Sequence, residues 1–117
     1  MRSVACFLSF KPVTFHGDSL DRLRDFPEDA RRDAGHEVYK LQKGLDPTDW
    51  KPMPTIGAGV REIRIRETVG SYRVIYIATL ADAVHVLHAF RKTSQKTARR
   101  DLDLAAARLL QLKRGSK

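Results

Sequence analysis

Residues 59–77 read GVREIRIRETVGSYRVIYI and carry four arginines, Arg61, Arg64, Arg66 and Arg73. The alternation in EIRIR is that of a strand, with Ile63 and Ile65 on one face and Glu62, Arg64 and Arg66 on the other. Arg73 enters a second strand between Tyr72 and Val74. A second stretch, HAFRKTSQK, adds His88, Arg91, Lys92 and Lys96. Clustered cations repel one another unless an anion compensates, and Glu62 and Glu67 neutralise only part of this charge. A phosphate backbone would neutralise the rest, and the arginine fork suits it by binding phosphate oxygens in pairs. His88 titrates near neutrality, and a cationic surround lowers a lysine pKa by like-charge repulsion. Such a set is equipped for RNA cleavage without metal. The substrate's own 2′-hydroxyl attacks the phosphate, and the protein orients the nucleotide, stabilises the added charge and moves two protons.

Other chemistries find less support. Two-metal nucleases need clustered carboxylates. The second half of the chain offers only Glu62, Glu67, Asp82, Asp101 and Asp103, scattered over strands, a turn and a helix start. No metal and no cofactor is therefore expected. Cys6 lies far from any evident base, and GAG at 57–59 is too short for a dinucleotide or phosphate-binding fingerprint.

The charge is distributed unevenly. Residues 1–58 hold nine basic and nine acidic side chains, so the whole net charge of +8 falls on residues 59–117. This imbalance points to a polyanionic partner, nucleic acid being the simplest, with a merely solubilising surface as the plain alternative. The single cysteine fits a reducing compartment. No apolar run approaches the ~20 residues that span a bilayer. VACFLSF at 4–10 is at the short limit for a signal core and lacks a small-x-small cleavage site. A cytoplasmic protein without membrane association is the expectation.

The elements that must position these residues follow from periodicity. KPVTFHG (11–17) predicts a first strand. DSLDRLRDF predicts a short helix capped by Asp18 or Ser19, with Leu20 and Leu23 inward. Pro27 opens a longer helix to about Lys43, with the stripe Ala30, Ala34, Val38 and Leu41 and Gly44 as its C-cap. Residues 45–58 hold three of the five prolines and predict a long loop anchored by Trp50, Met53 and Ile56. The 59–77 pair and AVHVLHAF (83–90) form an antiparallel meander, LADA supplying the second turn. A final helix, about Ala98 to Lys113, carries Leu102, Ala105, Leu109 and Leu112, with Gly115 closing it. The expected fold is a small α+β domain: an antiparallel sheet of three to four strands, two N-terminal helices on one face and a C-terminal helix, with helices against one sheet face. Tyr72, Tyr76 and His85 read as core residues. Arg61, Arg99, Arg100 and Arg108 read as solvated or phosphate-steering.

The segments WKPMPTIGAGVREIRIRE, SYRVIYIA and VHVLHAFRKTSQKTARRDLDLAAARL resemble the phage-derived, HigB-like branch of the RelE/ParE toxin superfamily. GDSLDRLRDFPEDARRDAGHEVYKLQKGLDPTDWKPM fits its N-terminal half, so the resemblance covers residues 11–112. It implies a single toxin domain over residues 11–113, an N-terminal extension over 1–10 and a tail over 114–117. It also implies the toxin of a type II toxin–antitoxin pair, a metal-independent endoribonuclease that cuts mRNA in the ribosomal A site. The implied partners are mRNA, the ribosome and a cognate helix-turn-helix antitoxin. On this resemblance Arg64 and Arg73 stabilise the phosphate and transition state, and Lys92 or His88 moves the proton. Arg61, Arg66, Arg91, Lys96, Arg99 and Arg100 bind nucleic acid. Many relatives place a catalytic tyrosine near the C-terminal end, whereas this chain has none after Tyr76, leaving proton transfer to His88, Lys92 or Lys96. Two other readings are a ParE-like inhibitor of DNA gyrase and a non-catalytic module that binds nucleic acid or antitoxin.

Overall fold

In chain order the elements are β1 (Val13–Phe15), α1 (Ser19–Arg24), α2 (Glu28–Gln42), β2 (Trp50–Pro52), β3 (Val60–Glu67), β4 (Gly70–Ile77), β5 (Val84–Lys92) and α3 (Arg99–Gly115). They come from a computed structural model that describes residues 10–68, 70–93 and 96–115. The expected N-terminal extension apart from Phe10, Cys6 within it, Ser94, Gln95 and the last two residues of the tail lie outside the described residues.

Among the described residues the strands form one sheet in the order β1-β5-β4-β3-β2. The meander β3-β4-β5 is antiparallel, as its alternation and short turns require. Two strands differ from expectation. β1 joins β5 in parallel, which makes the sheet mixed and five-stranded. β2 lies within the expected loop and pairs antiparallel with β3, Trp50 opposite Ile63 and Pro52 opposite Arg61. Three residues ending in proline carry no alternation to read, and proline is tolerated because β2 is an edge strand.

The two sheet faces bury different sets. Ile63, Ile65, Tyr72, Val74, Tyr76, Val84, Val86 and Ala89 pack against Leu23 and Phe26, and against Ala30, Ala34 and Leu41 of the α2 stripe. Phe26 meets the Tyr72 ring at 4.8 Å between centroids. α2 ends in a Schellman cap: Leu45 N–H donates to Lys40 O and Gly44 N–H to Leu41 O, with Gly44 at φ +84° where a side chain would be strained. The opposite face buries Val60, Ile75, Ile77, Leu87 and Phe90 under Ala105 and Leu109 of α3, with Met53 and Ile56 beside them. The helices therefore cover both faces, not one. The apolar residues of β4 and β5 on the second face demand a cover, and α3 supplies it. α3 runs through Gly115, which lies inside the helix instead of closing it.

A bulge sets how β5 meets α3. Ile75 opposes His88 while Tyr76 opposes Val86, so Leu87 is the extra residue. Leu87 and His88 consequently both address α3. At the other corner Asp18 occupies the N-cap position of α1 without making a cap hydrogen bond. Its carboxylate accepts instead from Arg108 Nη2 at 2.6 Å, while Arg108 Nη1 donates to Leu87 O at 2.8 Å. Arg108 is thus a strut between α3 and the sheet, not the solvated residue that the charge pattern suggested.

Candidate functional site

α3 covers the half of its sheet face nearest the β4–β5 turn and leaves the half nearest the β3–β4 turn to charged residues. In the ladder Arg64 stands opposite Arg73, Arg66 opposite Ser71, Arg73 opposite Phe90 and Ser71 opposite Lys92. Period-2 alternation puts all of these on one face. Like charges directly opposite one another destabilise a sheet unless each finds a partner. Both arginines have one. Arg64 Nη2 lies 3.0 Å from Asp49 Oδ1, and Arg66 Nε 3.7 Å from Asp49 Oδ2. Arg73 Nε lies 3.3 Å from Glu62 Oε1, and its Nη1 donates to Ser71 Oγ at 3.0 Å and Tyr72 O at 3.2 Å.

Burial separates these two pairs. Arg64 and Asp49 are partly open to solvent, whereas Arg73 is 5% and Glu62 0% exposed. The outer oxygen of Glu62 accepts from Thr97 Oγ1 at 2.9 Å, which ties the β5–α3 connection to the centre of the face. Burial lowers the Arg73 pKa from its ordinary value and the Glu62 charge opposes that; a guanidinium still keeps its proton. Lys92, half-buried beside them, has its pKa lowered, first by burial and then by the Arg73 charge, with Lys51 and Arg64 adding to the effect. The arrangement therefore offers three guanidinium groups, an acidified ammonium and a sealed carboxylate within one patch. That set can hold a phosphodiester, stabilise charge on it and exchange a proton with it.

The structure brings Arg64, Arg66, Arg73 and Lys92 together and places the other expected residues elsewhere. His88 is 1% exposed and its Nε2 lies 2.7 Å from Asp101 Oδ1 on α3, with the Phe90 ring stacked on it at 5.0 Å. Its Nδ1 has no partner among the described residues. A neutral ring with its proton on Nε2 satisfies this geometry, and burial lowers the His88 pKa in the same direction. Arg91 opposes Tyr72 and so lies on the α1–α2 side of the sheet, opposite Arg73. Arg61 also faces that side, stacked on Trp50 at 4.0 Å and paired with Asp46 at 3.2 Å. Lys96 lines a cleft with Lys51, Thr97 and Leu102. Arg99, paired with Asp103 at 3.4 Å, and Arg100 are exposed at the start of α3. Glu67, expected to offset the arginines, lies instead beside Asp33 of α2, a contact that raises its pKa.

Sequence reasoning missed Asp49, Lys51 and Thr97. Asp49 and Lys51 flank Trp50 in a stretch with no periodic signal, and their roles depend on the β2–β3 register. His85, expected in the core, is buried and lies between His16, 2.9 Å from its Nδ1, and Asp82, 3.2 Å from its Nε2. Among the described residues no helix is long and apolar enough to cross a membrane.

A helix-flanked mixed sheet with cations gathered on the half-face that α3 leaves to charged residues defines a small α+β protein with a cationic patch. Residues 21–110 match the family model described as phage derived protein Gp49-like (DUF891), and the chain belongs to this phage-derived, toxin-like family. No curated protein matches the chain significantly.

Proposed function

We propose that this protein is the toxin of a type II toxin–antitoxin pair, of the HigB-like branch of the RelE/ParE superfamily, and that it cleaves mRNA on the ribosome in the cytoplasm. The observation that carries this reading is the register of Arg64, Arg73 and Lys92 on one half-face, with Arg64 and Lys92 partly open to solvent beside the buried Arg73 and the Lys92 pKa lowered by burial and by Arg73. Neutral Lys92 takes the proton from the substrate 2′-hydroxyl. The 2′-oxygen then bonds to phosphorus, and the bond to the 5′-oxygen breaks. The products are a 2′,3′-cyclic phosphate and a 5′-hydroxyl, whose oxygen receives its proton from the Lys92 ammonium or from water. Arg64 and Arg73 stabilise the charge that builds on the phosphoryl oxygens. His88, spent on Asp101, holds α3 against the sheet, so proton transfer falls to Lys92. An enzyme with few groups to read and orient bases depends on the ribosome to position the codon. A helix-turn-helix antitoxin is the proposed neutralising partner.

A binding-only module is the competing reading, and the near-complete burial of Arg73 against Glu62 favours it. Mapping of cellular RNA 5′ ends after brief induction separates the two. New ends within reading frames, at a fixed codon phase and absent from Arg73→Ala, are the expected result. Arrested growth without new ends would overturn the nuclease reading in favour of gyrase inhibition. Neither arrest nor ends would leave a binding module.

A further inference from the structure

We propose that the cavity between the loop after α2 and the β3–β4 hairpin binds a small carboxylic acid with an apolar body. It lies on the α1–α2 side of the sheet, on the face opposite the cationic patch. Lys11, Leu41, Leu45, Asp46, Arg61 and Tyr76 contribute to its lining, and its volume is about 370 Å3. Small-ligand sites run from about 300 to 1,000 Å3, so the cavity suits a ligand at the small end of that range.

One wall holds a polar group that the protein does not satisfy. Tyr76 is 0% exposed, and its hydroxyl makes no hydrogen bond among the described residues. A buried hydroxyl left unpaired is costly, and the large majority of such groups in folded proteins have a partner. The Arg61 guanidinium, from the residue opposite Tyr76 in the β3–β4 ladder, lies near it in a geometry that makes no hydrogen bond. Burial raises the Tyr76 pKa and the Arg61 charge opposes that in part, so the hydroxyl keeps its proton and can donate.

The donors around it are held in place and only partly used. Arg61 stacks on Trp50 at 4.0 Å and donates from Nη1 to Asp46 at 3.2 Å, which fixes the guanidinium and leaves most of its N–H groups for a ligand. Lys11 Nζ donates to Ala78 O at 2.7 Å and has further protons to give. Lys11 and Arg61 against Asp46 leave one positive charge in excess among the lining residues. A single carboxylate balances that charge. As an acceptor only, it also meets the guanidinium fork, the ammonium and the phenol hydroxyl. Leu41 and Leu45 form an apolar wall, and Leu45 is 52% exposed, leaving area that an apolar body would remove from water.

Trp50 is the single tryptophan of the chain and its ring carries Arg61, so its fluorescence reports on the cavity. The test is titration of the full chain with cyclohexanecarboxylate, with the neutral cyclohexanecarboxamide and inorganic phosphate as comparison probes. The expected result is a saturable change at about millimolar carboxylate, the strength ordinary for so small a ligand, with responses to the other two weaker by about tenfold or more. Tyr76→Phe removes only the unpaired hydroxyl, so it should keep the fold by circular dichroism. It should weaken carboxylate binding about tenfold, as loss of a hydrogen bond to a charged group does. Arg61→Gln, at a partly exposed position, should weaken binding at least as much. No saturable change, an equal response to the carboxamide or to phosphate, or an unchanged affinity in either variant would overturn the site.

Discussion

Arg73 Nε and Glu62 Oε1 face each other at 3.3 Å on adjacent strands, and solvent reaches almost none of either side chain. Charges in that position hold each other in place, because neither can be left alone in a site of low dielectric. The pair thereby fixes the guanidinium at the centre of the cationic face, while Thr97 fixes the carboxylate from the other side.

Removing one member leaves the other buried and uncompensated, which costs about 3–5 kcal/mol. Glu62→Gln should fall near the lower figure, since the amide oxygen still accepts from Thr97. Arg73→Met alone should be destabilising as well. The double variant Glu62→Gln/Arg73→Met should recover part of the loss, with a coupling energy of about 1–3 kcal/mol in urea unfolding. Strictly additive losses would show that the pair contributes no mutual stabilisation.

In the proposed cleavage Lys92 serves as the base and must be neutral to do so, and its pKa lies below the ordinary 10.5 because of burial and Arg73. Cleavage should therefore rise with pH and level off earlier than an ordinary lysine would allow. Arg73→Ala removes a neighbouring positive charge and should shift that limb to higher pH, besides lowering the rate. Lys92→Met should reduce cleavage about 100-fold or more, as loss of a positioned acid–base group does. Single-turnover rates from pH 6 to 10 measure all three, and a flat profile would exclude the lysine from proton transfer.

His88 supplies a pH dependence of stability. Its folded pKa lies below the ordinary 6.5, with burial as the main cause, so the folded protein binds fewer protons there than the unfolded chain. The resulting stability is fully present above about pH 6.5 and is lost as pH falls through the lowered folded value. His16, lowered by burial and by His85, acts with the same sign. Urea midpoints should drop between pH 7 and 5, and His88→Gln should flatten that slope even though it lowers the midpoint at every pH. An unchanged slope would assign the dependence to other groups.

Asp49 is the carboxylate that restrains Arg64 and Arg66 on the open edge of the site. The pair with Arg64 is partly exposed, so Asp49→Asn should cost less than about 1 kcal/mol of stability. Released arginines should instead bind RNA more tightly and steepen the salt dependence, with a log–log slope larger by about one. Fluorescence anisotropy on a single-stranded RNA across a salt series measures the slope. An unchanged slope would place both arginines outside the RNA footprint.

How much of this was legible in the sequence depends on the distance over which each feature is decided. The stripe of α2, its cap at Gly44, the β3–β4 hairpin and the core tyrosines follow from local period and turn chemistry, and each is found where the pattern puts it. The concentration of positive charge beyond residue 58 is a property of composition alone. The short strand β2 and the parallel seat of β1 are not local. They exist because β3 and β5 offer open edges, which no three-residue segment announces.

The sequence by itself determined that arginines alternate with isoleucines and that the cationic residues cluster near the ends of strands. Tertiary structure alone decided which cations share a face. A slip of one residue in register exchanges the two faces of a strand, and the bulge at Leu87 makes that choice between β4 and β5. It sets Lys92 beside Ser71 and Arg73 and sends Arg91 to the α1–α2 side, although the two are neighbours in the chain. Burial was decided in the same way. Glu62 reads as an ordinary surface carboxylate until β2 pairs beside it and Thr97 ties to it, and in that buried position it faces Arg73.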